Sequence, residues 1–365
     1  MVLDLRERTD QIIRQVLGEH DAYDGIEFIH VTHGFHAQAV FVDATAVAQA
    51  GGAIVTGTRV NFTQSVCHGA APCQLAFAIV YNVLIVTDDN QAMNATQHIA
   101  SKKAQASDPI GVFDSGVGGL SVLKHIQDLL PNEQLRYVAD SRYAPYGNKS
   151  VEAIQSRCFT LADFLIAQGA KVLVVACNTA TAAAIDAMRE RYTLPIIGME
   201  PAVKPAAEAS QNGIIGILAT VGTLKSAQFA ALLESYGRNV DVVTQACPGL
   251  VECIERGEVD SPATRDLIEQ FCAPLLAEGA DTIVLGCTHY PFVRALIKDV
   301  VGPKVSLVDT GAAVAKQVKN RLIDSGLLAK GQAPGAVRFW TNSAAAEAPA
   351  VIARLWGQAA EVRVF

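Results

Sequence analysis

At 365 residues the chain has room for two or three domains, each with its own core. Half the residues are hydrophobic and 18% are charged, the composition of an ordinary globular protein, and the net charge of −7 disfavours nucleic acid or an anionic membrane surface as partner. Eight scattered cysteines do not form the dense framework that staples small secreted domains.

The opening residues, M-V-L-D-L-R-E-R-T-D, lack the basic start and apolar core of a secretory leader, so reduced thiols and a cytoplasmic setting are expected. Residues 3–17 read as a helix, because Ile12, Ile13, Val16 and Leu17 share one helical face. A β-rich stretch follows, E-F-I-H-V-T-H-G-F-H-A-Q-A-V-F-V, then the apolar run A-I-V-T-G-T. Residues 74–81 read as helix and V-L-I-V-T-D-D-N as a strand. The longest apolar run, near 75–86, is broken by Asn82 and is too short for a span of about 20 residues, so no membrane partner is expected. His30, His33, His36, Cys67, His68 and Cys73 invite a metal reading. In a strand, however, His30 and His36 would face away from His33, and the expectation is no metal.

Residues 101–108, S-K-K-A-Q-A-S-D, are small and polar and make the best linker, closing an amino-terminal domain over 1–107. Strand candidates then come at 110–113, 135–139, 172–176, 194–198, 213–218, 240–244, 282–286, 305–308 and 337–341. Helical patterns fill the gaps, for example 121–130, 151–168 and 262–277. Such alternation specifies an α/β fold of doubly wound parallel sheets.

Two of these strands end alike. V-L-V-V-A-C-N-T-A-T (172–181) places Cys177 between a buried parallel strand and an alanine-rich helix, in the crevice where open sheets bind ligands. The helix dipole there favours a thiolate. T-I-V-L-G-C-T-H-Y-P (282–291) repeats the arrangement at Cys287 and adds His289, an imidazole able to tune a thiol or relay a proton. The echo implies two related lobes. Cys158, Cys247, Cys253 and Cys272 fall in helix or loop patterns without polar partners and read as structural.

Two further stretches bear on a site. I-G-V-F-D-S-G-V-G-G-L-S (110–121) ends a strand at Asp114 and Ser115, and its glycines would admit a ligand close to the backbone. Gly116, Gly118 and Asp140 allow a dinucleotide reading, which Ser121 at the sixth position weakens; a plain strand-to-helix turn is the other alternative. A-D-S-R-Y-A-P-Y-G-N-K-S (139–150) reads as a surface loop over the crevice. Zinc would want four ligands, and neither thiol has a cysteine neighbour at metal spacing. Paired thiols suit a two-base reaction instead, in which a proton leaves one face of a carbon and another arrives on the opposite face.

F-D-S-G-V-G-G-L-S-V, P-Y-G, A-C-N-T-A-T and G-C-T-H-Y-P occur in that order, and residues 108–365 resemble the glutamate racemases, cofactor-independent enzymes that make D-glutamate for peptidoglycan. The resemblance implies two pseudo-symmetric lobes, 108–207 with 310–365 and 208–309, with the site between them. It implies that Cys177 deprotonates D-glutamate and Cys287 L-glutamate, assisted by Asp114, His289 and Glu200. Ser115, Pro145, Tyr146, Gly147, Asn178, Thr179, Thr288 and the second-lobe pair Thr220 and Thr223 would hold the amino acid. No cofactor is implied. Rival readings are a racemase of another amino acid or of hydantoins, and a regulatory binding protein that keeps the fold without turnover. Residues 1–107 lie outside the resemblance. Control of activity or assembly is the expectation for them, with a regulatory ligand at that domain and a homodimer as the forms it could take.

Overall fold

The structure is a computed structural model. It describes residues 104–331, 333–343 and 348–365, together with the backbone of three short strands nearer the amino terminus. The chain divides into two compact units, Met1–Lys103 and Ala104–Phe365.

In the first unit the strands β1 (Ile54–Thr56), β2 (Phe77–Val80) and β3 (Val83–Val86) form an antiparallel sheet in the order β1-β3-β2. This corrects the helix expected at 74–81. Phe77–Val80 pairs instead with Val83–Val86 across a two-residue connection, so a short apolar run that periodicity cannot resolve is a strand. The helix expected at 3–17, the β-rich stretch around His30 to His36, and Cys67, His68 and Cys73 lie outside the described residues.

The second unit holds two parallel sheets. The larger contains β4 (Ile110–Asp114), β5 (Leu135–Ala139), β6 (Val172–Val175), β7 (Ile196–Ile197), β12 (Val337–Thr341) and β13 (Val362–Val364), in the order β13-β12-β5-β4-β6-β7. The smaller contains β8 (Ile214–Ala219), β9 (Asp241–Ala246), β10 (Thr282–Leu285) and β11 (Ser306–Val308), in the order β11-β10-β8-β9. Every pairing in both sheets is parallel. The helices between them are α1 (Leu120–Leu129), α2 (Val151–Ala167), α3 (Asn178–Arg191), α4 (Val203–Ala209), α5 (Val221–Leu224), α6 (Ala227–Tyr236), α7 (Leu250–Glu255), α8 (Pro262–Ala277), α9 (Arg294–Val301), α10 (Gly311–Asp324) and α11 (Ala348–Trp356). No helix among the described residues is long and apolar enough to cross a membrane.

The sheet orders expose an internal correspondence. β5-β4-β6-β7 in the larger sheet is matched strand for strand by β9-β8-β10-β11 in the smaller. In each, the first strand of the set lies centrally and the chain winds to one side and then to the other. The winding reverses between β4 and β6 and between β8 and β10, and such reversals open ligand crevices at the carboxyl ends of strands. Cys177 lies just beyond β6 and Cys287 just beyond β10.

Local chemistry fixes the helix starts. Ser150, Ser226 and Ser261 each accept an amide hydrogen bond as N-caps of α2, α6 and α8, and Pro262 opens the last. β4 and β6 are buried throughout, as strands covered by helices on both faces must be. One apolar core runs unbroken between the sheets through Val117, Leu120, Leu123, Ile254, Leu285 and Tyr290. The reading at 194–198 shrinks to the two residues of β7, and β13 was not foreseen; both are short edge strands with little apolar patterning.

Candidate active site

Asp114 ends β4 with 0% exposure, and its carboxylate is fully engaged. Oδ1 accepts from Ser115 N at 2.6 Å and Ser115 Oγ at 3.2 Å, and Oδ2 accepts from Gly119 N at 2.5 Å and Thr288 Oγ1 at 3.2 Å. The last of these crosses from the larger sheet to the smaller. Burial raises the carboxyl above its ordinary range despite the nearby His289.

Cys177 is itself the N-cap of α3, its Sγ accepting from Ala180 N at 3.3 Å and lying 3.8 Å from Ser115 Oγ. Burial, reinforced by Asp114, pushes this thiol well above its ordinary value, and the Ala180 amide only partly offsets that. The helix end does favour the thiolate, through the Ala180 amide, but desolvation outweighs it.

Cys287 has a different neighbour. His289 Nδ1 stands 3.6 Å from its Sγ, and His289 Nε2 stands 2.6 Å from Glu255 Oε1. Burial opposes charge on the imidazole, yet the Cys287 sulfur and the Glu255 carboxylate outweigh it, so its pKa lies well above 6.5. A protonated ring donates both N–H groups at once, one to sulfur and one to carboxylate.

Both thiols open on one cavity of about 280 Å³, lined by Ser115, Pro145, Tyr146, Gly147, Cys177, Asn178, Thr179, Thr220, Val251, Gly286, Cys287, Thr288 and His289. Asp114 lies directly behind it. Thr220 Oγ1 and Thr223 Oγ1 are 2.9 and 3.2 Å from Thr179 Oγ1 and 3.0 Å from one another, so a triangle of hydroxyls joins the two lobes at this wall. Of the two second-lobe threonines, Thr220 lines the thiol cavity and Thr223 a neighbouring one of about 200 Å³. Asn178 lines both, and its carboxamide oxygen and nitrogen are buried without a hydrogen-bond partner among the described residues. An unpaired buried polar group costs about 1–3 kcal/mol, which a ligand carrying both a donor and an acceptor would relieve.

Glu200 is the expected site residue that the structure leaves elsewhere. It follows the edge strand β7, is exposed, accepts from Gln228 Nε2 at 2.8 Å, and lines the neighbouring cavity without either thiol. The acid that does reach the site is Glu255, at the end of α7. Its Oε1 also accepts from Val117 N at 2.7 Å and its Oε2 from Ser141 Oγ at 3.2 Å, so it ties the glycine turn to His289. No sequence motif marks it; the one available signal was a carboxylate directly after the buried run Leu250, Val251, Cys253 and Ile254.

The glycine turn has its own explanation. A β-carbon on Gly116 would strike the Glu255 carboxylate, and one on Gly118 would strike His289 and Thr288. The glycines thus admit protein groups from the other lobe, and Asp140, 0% exposed, is consumed by Tyr146, Arg157 and Asn342. Neither feature suits a dinucleotide. Of the thiols read as structural, Cys158 and Cys272 are pushed up by burial to about 12 and about 11. Cys247 and Cys253 do have polar neighbours, contrary to expectation: Gln245 O and Arg256 NH2 lie 3.5 Å from the respective sulfurs. Among the described residues no cluster of histidine, cysteine or acidic side chains could hold a metal.

The sequence pattern of the Asp/Glu/Hydantoin racemase family matches residues 110–318. The glutamate racemase of Ectopseudomonas mendocina is 58% identical over 262 residues, covering 72% of this chain and 99% of the relative. The crystal structure of the Francisella tularensis glutamate racemase in complex with D-glutamate superposes with a TM-score of 0.62 at 29% identity, covering 71% of this chain and 97% of the other. That of the Escherichia coli glutamate racemase, in complex with L-glutamate and the activator UDP-MurNAc-ala, gives a TM-score of 0.62 at 31% identity, covering 71% and 98%. The chain belongs to the Asp/Glu/hydantoin racemase family and, within it, to the glutamate racemases.

Proposed function

We propose that Cys177 and Cys287 are the two bases of a cofactor-independent interconversion of L- and D-glutamate. The observation that carries this is their position on one cavity at equivalent strand ends of two sheets. In the L-to-D direction the ionised Cys287 sulfur removes the α-proton and the Cys177 thiol protonates the opposite face. In the reverse direction the roles exchange. His289 supports the Cys287 half with its Nδ1–H, and Glu255 holds the ring in place and favours its charged form. Asp114 and Ser115 flank the Cys177 half.

The α-carbon of an amino acid is a very weak acid, so a dry pocket must supply donors to the developing charge; one such donor contributes a factor of about 10²–10³. Ser115, Asn178, Thr179, Thr220 and Thr288 line the cavity and hold the ammonium and carboxylate groups in this reading, with the Asn178 amide offering one donor and one acceptor. Pro145, Tyr146 and Gly147 form the remaining wall. Thr223 acts from behind by fixing the hydroxyls of Thr179 and Thr220. The lobes are 108–207 with 310–365, and 208–309, because the last two strands return to the first sheet. The reaction supplies D-glutamate for peptidoglycan, a cytoplasmic role. Residues 1–107, which lie outside the family match, are proposed to control activity or assembly, with a regulatory ligand at that domain and a homodimer as separate forms that control takes.

Incubating the purified chain with L-glutamate in deuterium oxide, without added cofactor, tests the reading. D-glutamate carrying α-deuterium is expected. Absence of both inversion and exchange would overturn it.

A further inference from the structure

Tyr146 belongs to the cavity wall, but its hydroxyl is engaged within the protein. It donates to Asp140 Oδ2 at 2.5 Å, at the carboxyl end of β5. Arg157 of α2 grips the same carboxylate with two bonds, Nε to Oδ2 at 3.0 Å and NH2 to Oδ1 at 2.7 Å. Asn342, just beyond β12, donates to Oδ1 at 2.5 Å and accepts from Arg142 N at 3.0 Å. Three separate segments therefore converge on one carboxylate that no solvent reaches, and every bond to it is charge-assisted.

On its other side the same loop meets the second lobe at close quarters. A β-carbon on Gly222 would lie 2.9 Å from the Gly147 carbonyl oxygen, and one on Gly147 would lie 3.0 Å from Thr220 Cβ. A loop packed this tightly has little tolerance for displacement, and small displacements at a binding wall are felt strongly. We infer that Asp140 is a positioning residue: acting through the Tyr146 hydroxyl, with Arg157 and Asn342 as its clamps, it sets the Tyr146–Gly147 wall for substrate binding. Proton transfer rests on thiols carried by other elements, so the effect falls on KM rather than kcat. The inference rests on the racemase reading.

The test measures kcat and KM for both enantiomers in the full chain and in Asp140→Asn, Tyr146→Phe, their double variant and Asn342→Ala, with thermal unfolding as the check on folding. Racemisation by the unaltered chain is the control that separates failure of the racemase reading from failure of this one. Tyr146→Phe keeps the ring and should raise KM about tenfold for both enantiomers, equivalent to about 1.4 kcal/mol of binding, with kcat changed less than about threefold. Asn342→Ala should raise KM about threefold. In the Asp140→Asn background, Tyr146→Phe should add less than a further factor of about three, because both changes break the same link. An unchanged KM in folded Tyr146→Phe would overturn the inference, as would effects of Asp140→Asn and Tyr146→Phe that multiply. Should Asp140→Asn not fold, Tyr146→Phe and Asn342→Ala decide the matter.

Discussion

Cys177 and Cys287 end corresponding strands of two sheets with the same winding, yet the chain around each supports its thiol by different means. Cys177 caps a fourteen-residue helix and receives one amide, with a buried carboxylate nearby that resists ionisation of the sulfur. Cys287 is followed by a short turn and receives an imidazole, itself held by Glu255. Equivalent backbone positions have thus acquired unequal surroundings, a helix amide and a carboxylate at one thiol and an imidazole at the other. A two-base reaction requires that one thiol be empty while the other carries the proton, and that the two exchange these states with the direction of turnover.

The largest effect should come from removing either half. Cys177→Ala and Cys287→Ala should each lower racemisation by more than about 10³-fold, since general acid–base groups contribute about 10²–10⁴. Substantial inversion in either variant would show that the two halves are not both needed. The enantiomers have equal free energy, so kcat/KM must remain equal in the two directions for every variant. Any asymmetry between the halves must therefore be read from kcat, KM or isotope exchange separately.

A smaller loss is expected from the support of the Cys287 half. His289→Asn and Glu255→Gln should each lower kcat by about 10–10²-fold, with the double variant little worse than the worse single, because Glu255 acts through His289. Multiplicative effects would separate the two roles. The same pair predicts a pH dependence. The folded pKa of His289 is raised, so the stability it contributes is fully present below about 6.5, its unfolded value, and is lost as pH rises through the folded value. Glu255→Gln removes one cause of the shift. Its unfolding temperature should fall less steeply above pH 6.5 than that of the unaltered chain, and parallel slopes would contradict the assignment. Smallest of all, Glu200→Gln should change kcat/KM by less than about twofold, because Glu200 reaches neither thiol.

Much of the fold and part of the candidate site were legible beforehand, for physical reasons. Parallel strands buried on both faces must be apolar and β-branched, so V-L-V-V and T-I-V-L announce themselves, and the polar residues that follow mark the strand ends. The thiols, Asp114 and His289 stand within a few residues of such ends and were legible as one group of candidate residues. Glu255 was not, because its partners Val117 and His289 lie 138 and 34 positions away and only packing brings them together. Glu200, in G-M-E-P, also follows a strand, but β7 is an edge and its end points to a neighbouring cavity. Asp140, eligible as a ribose ligand by spacing alone, turns out to be buried and fully bonded within the protein.

The division of labour between the two halves is tested most directly by α-proton exchange in the single-cysteine variants. Each variant is incubated in deuterium oxide with pure L- or pure D-glutamate, and deuterium at the α-carbon is followed by mass spectrometry or NMR. Cys177→Ala retains the Cys287 half and should exchange L-glutamate without inverting it, leaving D-glutamate untouched. Cys287→Ala should do the reverse. Exchange of both enantiomers by one single-thiol variant, or the opposite pairing of thiol with enantiomer, would contradict the assignment of one face of the substrate to each lobe.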